Sequence, residues 1–141
     1  MRALTGRIAA VASADNDVNP GRVLVVNSNA IVLARISSLL DGAGFAVTLC
    51  RTAAEALTAL AIDAPAAMVV DFMLDDMSGF ALVHACEDAG TRVPTVMTAG
   101  RGEVGAAVRA VREGVADFLP GTVDGRVVQA IRRALRQAGK G

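Results

Sequence analysis

No apolar run in the sequence approaches the roughly 18 residues needed to span a bilayer, although 53% of the 141 residues are hydrophobic and the mean hydropathy is +0.47. That apolar content therefore goes to a core. Neither sign of charge is in excess, since 14 Lys and Arg balance 14 Asp and Glu. No global field then draws in nucleic acid or an acidic membrane, and any polyanion binding has to be local. Cysteine is scarce: Cys50 and Cys86 are too few and too far apart for a metal knuckle. Both fall in apolar contexts and read as buried free thiols of a reducing cytoplasm. The one histidine, His84, is out of phase with Val83 and Cys86, and reads as a solvent-exposed residue rather than a phosphohistidine or a metal ligand. Internal repeats, low-complexity tracts and interdomain linkers are all missing, and a second domain does not fit in this length.

At the amino end, Arg2 and Arg7 precede a short apolar stretch, Ile8 to Ala12, and Ala12-Ser13-Ala14 imitates a cleavage site. The stretch is shorter than the core of about 7 to 15 residues that a signal peptide has. Residues 1–20 are expected to form a flexible extension with a helical turn through Leu4, Ile8 and Val11. The breaker-dense 15–21 marks its border with a domain over 21–138, and 139–141 form a tail.

What is present is a repeated alternation. Short apolar runs at 23–26, 45–50, 66–71, 93–97 and 115–119 read as strands. Between and after them, helical spacing predicts helices from about 30 to 40, 53 to 62, 79 to 88, 103 to 113 and 124 to 137, with Thr52 and Glu55 forming a capping box for the second. Five strands alternating with five helices give a doubly wound parallel α/β sheet with right-handed crossovers and helices on both faces. In such sheets chemistry gathers at the carboxyl ends of the strands. The polar residues that converge there are Asn27, Ser28 and Asn29, then Asp71, then Thr98, then Gly121 and Thr122. Asp71, ending a strand buried on both faces, is the first candidate for a functional group.

The pieces VLVVNSNA, VVDFMLDDMSGF, VPTVMTAG and GVADFLPG, in this order and at these intervals, resemble the receiver domain of two-component response regulators over residues 22–137. The resemblance implies a five-stranded flavodoxin-like sheet of order 2-1-3-4-5 and phosphotransfer from a histidine kinase to an aspartate, the position of Asp71. Thr98 matches the hydroxyl that hydrogen-bonds the phosphoryl group, and Phe118 the aromatic whose rotamer follows activation. The family's acidic pair, which holds magnesium, falls on Asn27 and Ser28, and its lysine falls on Gly121.

Magnesium takes hard oxygen ligands, and Asp71 is the only family-matched carboxylate left. Magnesium binding is therefore expected to be weak or absent, with no other cofactor, and charge on a transferring phosphoryl group loses its main partners. The substitutions agree with one another, because one carboxylate needs neither a metal nor a lysine to offset like-charge repulsion. Asp71 is expected to rest as a carboxylate accepting hydrogen bonds from Asn27, Ser28 or Thr98. Met73 is expected to lid the pocket, Asp75 and Asp76 to form a solvated turn rather than replacement metal ligands, and Arg101 to be exposed.

The last helix carries Arg126, Arg132, Arg133, Arg136 and Lys140 beside an apolar stripe of Val127, Val128, Ile131 and Leu135. Basic residues suit a helix carboxyl end. In the family this side carries dimerisation and partner contacts, and here it would include Val104, Val108, Arg112, Phe118 and Arg133.

The expectation is a cytoplasmic, stand-alone, atypical receiver that is not an enzyme and acts by protein recognition in bacterial signalling. Its partner would be a histidine kinase or another signalling protein, with a homodimer through the last helix face as a further possibility, and neither nucleic acid nor membrane. The rivals are a conventional phosphoacceptor modified on Asp71 and a module binding a nucleotide or phosphate metabolite. Enzymes of other doubly wound families are disfavoured, because no glycine-rich phosphate loop follows the first strand.

Overall fold

The computed structural model describes residues 21–100 and 104–140. The proposed extension over 1–20 and the Arg101 expectation lie outside the described residues. The elements in chain order are β1 (Arg22–Val26), α1 (Ala30–Gly42), β2 (Ala46–Cys50), α2 (Ala53–Ile62), β3 (Ala67–Asp71), α3 (Gly79–Asp88), β4 (Thr95–Ala99), α4 (Val104–Glu113), β5 (Asp117–Pro120) and α5 (Arg126–Lys140). The strands form one parallel sheet in the order β2-β1-β3-β4-β5, the expected 2-1-3-4-5 arrangement.

Side chains alternate across a strand, so neighbouring residues feed opposite faces. In β1, Val23 and Val25 join Leu33, Ile36 and Leu40 of α1 and Val127 and Ile131 of α5. Leu24 and Val26 join Ala56 and Leu60 of α2, Leu82 and Cys86 of α3, and Ala110 of α4. Val127 and Ile131 are fully buried, and each such side chain contributes about 1.5–3 kcal/mol on burial. The helix starts are built from local polar residues. Asn29 accepts the amides of Ile31 and Val32, Thr52 that of Glu55 and Ser78 that of Ala81. The capping box is shifted by one residue, since the Glu55 carboxylate takes the amide of Arg51 at 2.8 Å.

The main departures from the expected element boundaries are at β4, β5 and α5. β4 runs Thr95–Ala99 rather than 93–97, because Pro94 has no N–H to give a ladder. Thr98 thereby sits inside the strand and not in the loop after it. β5 begins at Asp117 and α5 at Arg126, where the Asp124 carboxylate accepts the Arg126 amide at 3.0 Å.

Candidate functional site

The chain leaves β1 for β2 on one side of the sheet, while β3 lies on the other side of β1. Such a reversal opens a crevice above the strand ends. A cleft of about 450 Å³ occupies it, with Asn27, Asp71, Thr98 and Gly121 among its lining, Ile31, Val32 and Val123 as apolar walls, and Arg35 beside them.

Asp71 ends β3 directly opposite Thr98 in the β3–β4 register. That pairing brings the Thr98 hydroxyl to donate to Asp71 Oδ1 at 2.9 Å, and the Met73 amide donates to Oδ2 at 3.2 Å. Burial pushes the Asp71 carboxyl above its ordinary range, and the Thr98 and Met73 bonds partly offset it. α3 begins hard against this strand end. A Cβ on Gly79 would lie 2.4 Å from the Asp71 carbonyl oxygen, so only glycine fits, and its amide donates to the Phe72 carbonyl at 2.8 Å.

Of the three donors expected at Asp71, only Thr98 serves it. Ser28 is turned to the β2–α2 corner, where its hydroxyl donates to the Arg51 carbonyl at 2.9 Å and accepts the Asp75 amide at 3.0 Å. Asn27 is 4% exposed and uses Oδ1 to accept the Asn29 amide at 2.8 Å. Met73 is no lid: the residue is 62% exposed and lies outside the cleft lining, and it serves the site through its main chain. Gly121 lines the cleft with φ +85°, a backbone that side-chain-bearing residues rarely adopt, and donates its amide to the Ala99 carbonyl.

Asp76 is not a free turn residue. Its carboxylate accepts the amides of Ala53 and Ala54 at 2.9 and 3.0 Å, which holds its carboxyl below the ordinary range. It completes the α2 amino terminus beside Thr52. No local pattern signals this bond, because it spans 23 residues of sequence. His84 is half-exposed, with Glu113 and Glu87 beside it, and so bridges α3 and α4. Phe118 is half-buried against the core between the sheet and α2–α4, in register with Met97. Val108 and Arg112 are exposed, Arg133 pairs with Asp117 at 2.8 Å, and the Val104 side chain lies outside the described residues. Both cysteines are buried free thiols. Among the described residues, no three His, Cys, Asp or Glu are grouped to hold a metal, and Asp71 is the only carboxylate lining the cleft. No helix among them is long and apolar enough to cross a membrane.

Comparison with known proteins agrees with this architecture. The transcriptional regulatory protein FixJ of Bradyrhizobium diazoefficiens is 32% identical over 119 residues, covering 84% of this chain and 58% of FixJ. The C4-dicarboxylate transport transcriptional regulatory protein DctD of Rhizobium meliloti is 30% identical over 114 residues, 79% of this chain and 25% of DctD. The chain thus spans about a quarter to just over half of these two relatives. The crystal structure of FixJ-N superposes with a TM-score of 0.73 at 32% identity, over 82% of this chain and 93% of that one. The response regulator receiver domain model matches residues 23–133, and with that match the chain belongs to the response regulator receiver domain family.

Proposed function

We propose that this chain is an atypical receiver of cytoplasmic two-component signalling, working through protein recognition, with metal-dependent phosphorylation of Asp71 lost or weak. The carrying observation is that, among the described residues, Asp71 is the only carboxylate lining the cleft, with Asn27 at its side and Ser28 committed elsewhere. These residues do not fit a magnesium ion, which favours carboxylate and phosphate oxygens in octahedral array. Gly121 agrees, because its left-handed backbone disfavours the lysine that the family resemblance places there. Asp71 instead rests on Thr98 and the Met73 amide as a hydrogen-bonded hub at the strand end. The protein binds a signalling partner, a histidine kinase or another regulator, and the face with Val108, Arg112, Phe118 and Arg133 is offered for that contact and for pairing with a second copy.

A second reading, phosphorylation of Asp71 by a histidine kinase, draws support from the Thr98 hydroxyl standing 2.9 Å from its carboxylate. Magnesium separates the two. With millimolar magnesium and beryllofluoride, followed by acetyl phosphate, the amide resonances of Thr98 and Phe118 are expected to stay in place. Saturable shifts at both would replace the first reading by the second.

A further inference from the structure

Two groups in the cleft are left incomplete by the hydrogen bonding of the chain itself. Asn27 spends Oδ1 on the Asn29 amide, but its Nδ2 meets no acceptor among the described residues, although the residue is 4% exposed and lines the cleft. A donor held in this way favours a ligand that supplies an acceptor. Asp71, beside it, forms no ion pair among the described residues. Each of its oxygens takes a single hydrogen bond from the described residues, so both keep capacity to accept.

The two residues follow the paired Val26 and Val70 on adjacent parallel strands. Their side chains leave the sheet on the same side from strands about 4.8 Å apart. A ligand complementary to this pair presents a cationic donor to Asp71 and an acceptor to Asn27 within that span. A bare metal ion meets only the first demand, because the Asn27 N–H₂ faces it with the wrong sign. Inorganic phosphate meets only the second, because Asp71 repels it. An ammonium group one carbon from a carboxylate meets both. Arg35 stands at the same cleft with one guanidinium N–H on the Val123 carbonyl at 3.2 Å, leaving charge and further donors for that carboxylate. Ile31, Val32 and Val123 supply apolar wall, and among the described residues no aromatic is in the lining to stack a planar base.

We propose that this cleft binds a small aliphatic amino acid, its ammonium on Asp71 and its carboxylate on the Asn27 amide and Arg35. The proposal rests on the reading of Asp71 as a metal-free hub and names a ligand class for that site.

The test uses the intact chain in metal-free buffer, followed by NMR. Three matched probes are titrated: L-leucine, isopentylamine, which lacks the carboxylate, and 4-methylpentanoate, which lacks the ammonium. L-leucine is expected to give saturable shifts at Thr98, Gly121 and the Asn27 side-chain N–H₂. Each truncated probe is expected to bind at least about tenfold more weakly, as is L-leucine to Asp71→Asn and to Asn27→Ala. Amides of α3 that keep their positions in these variants show that the fold is retained. Failure of L-leucine to saturate by about 10 mM overturns the proposal. Equal binding of either truncated probe also overturns it. The magnesium and beryllofluoride arm is run separately on the same sample, so its shifts would count against the functional reading while the L-leucine arm is scored without metal.

Discussion

Asp71 carries a half-buried charge shaped by two partners and by burial: Thr98 and the Met73 amide stabilise the carboxylate, and burial opposes it. Because its folded-state carboxyl is raised above the unfolded value, the folded state holds the proton more tightly. Its contribution to stability is therefore complete below the unfolded value of about 4 and is lost as pH rises through the raised one. Asp71→Asn, which keeps an acceptor for Thr98 and removes the charge, is expected to raise the thermal midpoint at pH 7. The gap from the parent should close as pH falls below about 4, which calorimetry at a series of pH values measures. Gly79 is the opposite case, a residue with no charge and no tolerance. Gly79→Ala places a Cβ 2.4 Å from the Asp71 carbonyl, so backbone has to move, and a loss of about 1–3 kcal/mol by urea unfolding is expected. The sequence marks Asp71 and Thr98 through strand-end polarity, but the need for glycine at 79 is invisible in it. That need arises from how closely α3 approaches β3, a tertiary distance.

At the scale of elements, α2 depends on residues distant in the sequence. Its amino terminus is closed by Thr52 from within and by Asp76 from the loop after β3. Ser28 fastens the same corner through Arg51 and Asp75. Asp76→Ala is expected to speed amide exchange at Ala53 and Ala54 while α5 exchanges as before, as read by hydrogen exchange. Unchanged protection at both amides would show that Asp76 carries no part of the cap. Helix and strand identities were legible because apolar spacing reports which face is covered. Edges were less so, as at β4, where Val93 and Pro94 look like strand but Pro94 lacks the N–H to join it, while polar Thr98 looks like loop yet pairs with Asp71. The division of labour between Asn27 and Ser28 was likewise illegible, since two adjacent polar residues after a strand do not reveal which one turns into the cleft.

At the level of the whole molecule, the sheet is a wall with a separate apolar layer on each side. Both thiols sit in the layer with α2 and α3, where burial first and Glu55 second push Cys50 up to about 11, and burial first and Glu87 second raise Cys86. Thiolate is the reactive form, so both cysteines are expected to resist a thiol reagent at pH 8 in the native chain and to react promptly in denaturant. Fast native labelling of either would contradict the burial described. The family, the sheet order and the edge at which polar residues gather were readable because they follow from five repetitions of one pattern. The use of each gathered residue was not, because it is decided by bonds such as Ser28 to Asp75 across 47 positions.

The alternation along β1 has a consequence for how this chain can change over time. Val23, Leu24, Val25 and Val26 are dealt in turn to the two layers, so inserting or deleting one residue there would exchange the contents of both layers at once. The length of β1 is therefore frozen, while a substitution within it touches one layer at a time. Variation can remodel the side bearing α1 and α5 without disturbing the side bearing α2 to α4, and the two surfaces are free to acquire partners independently.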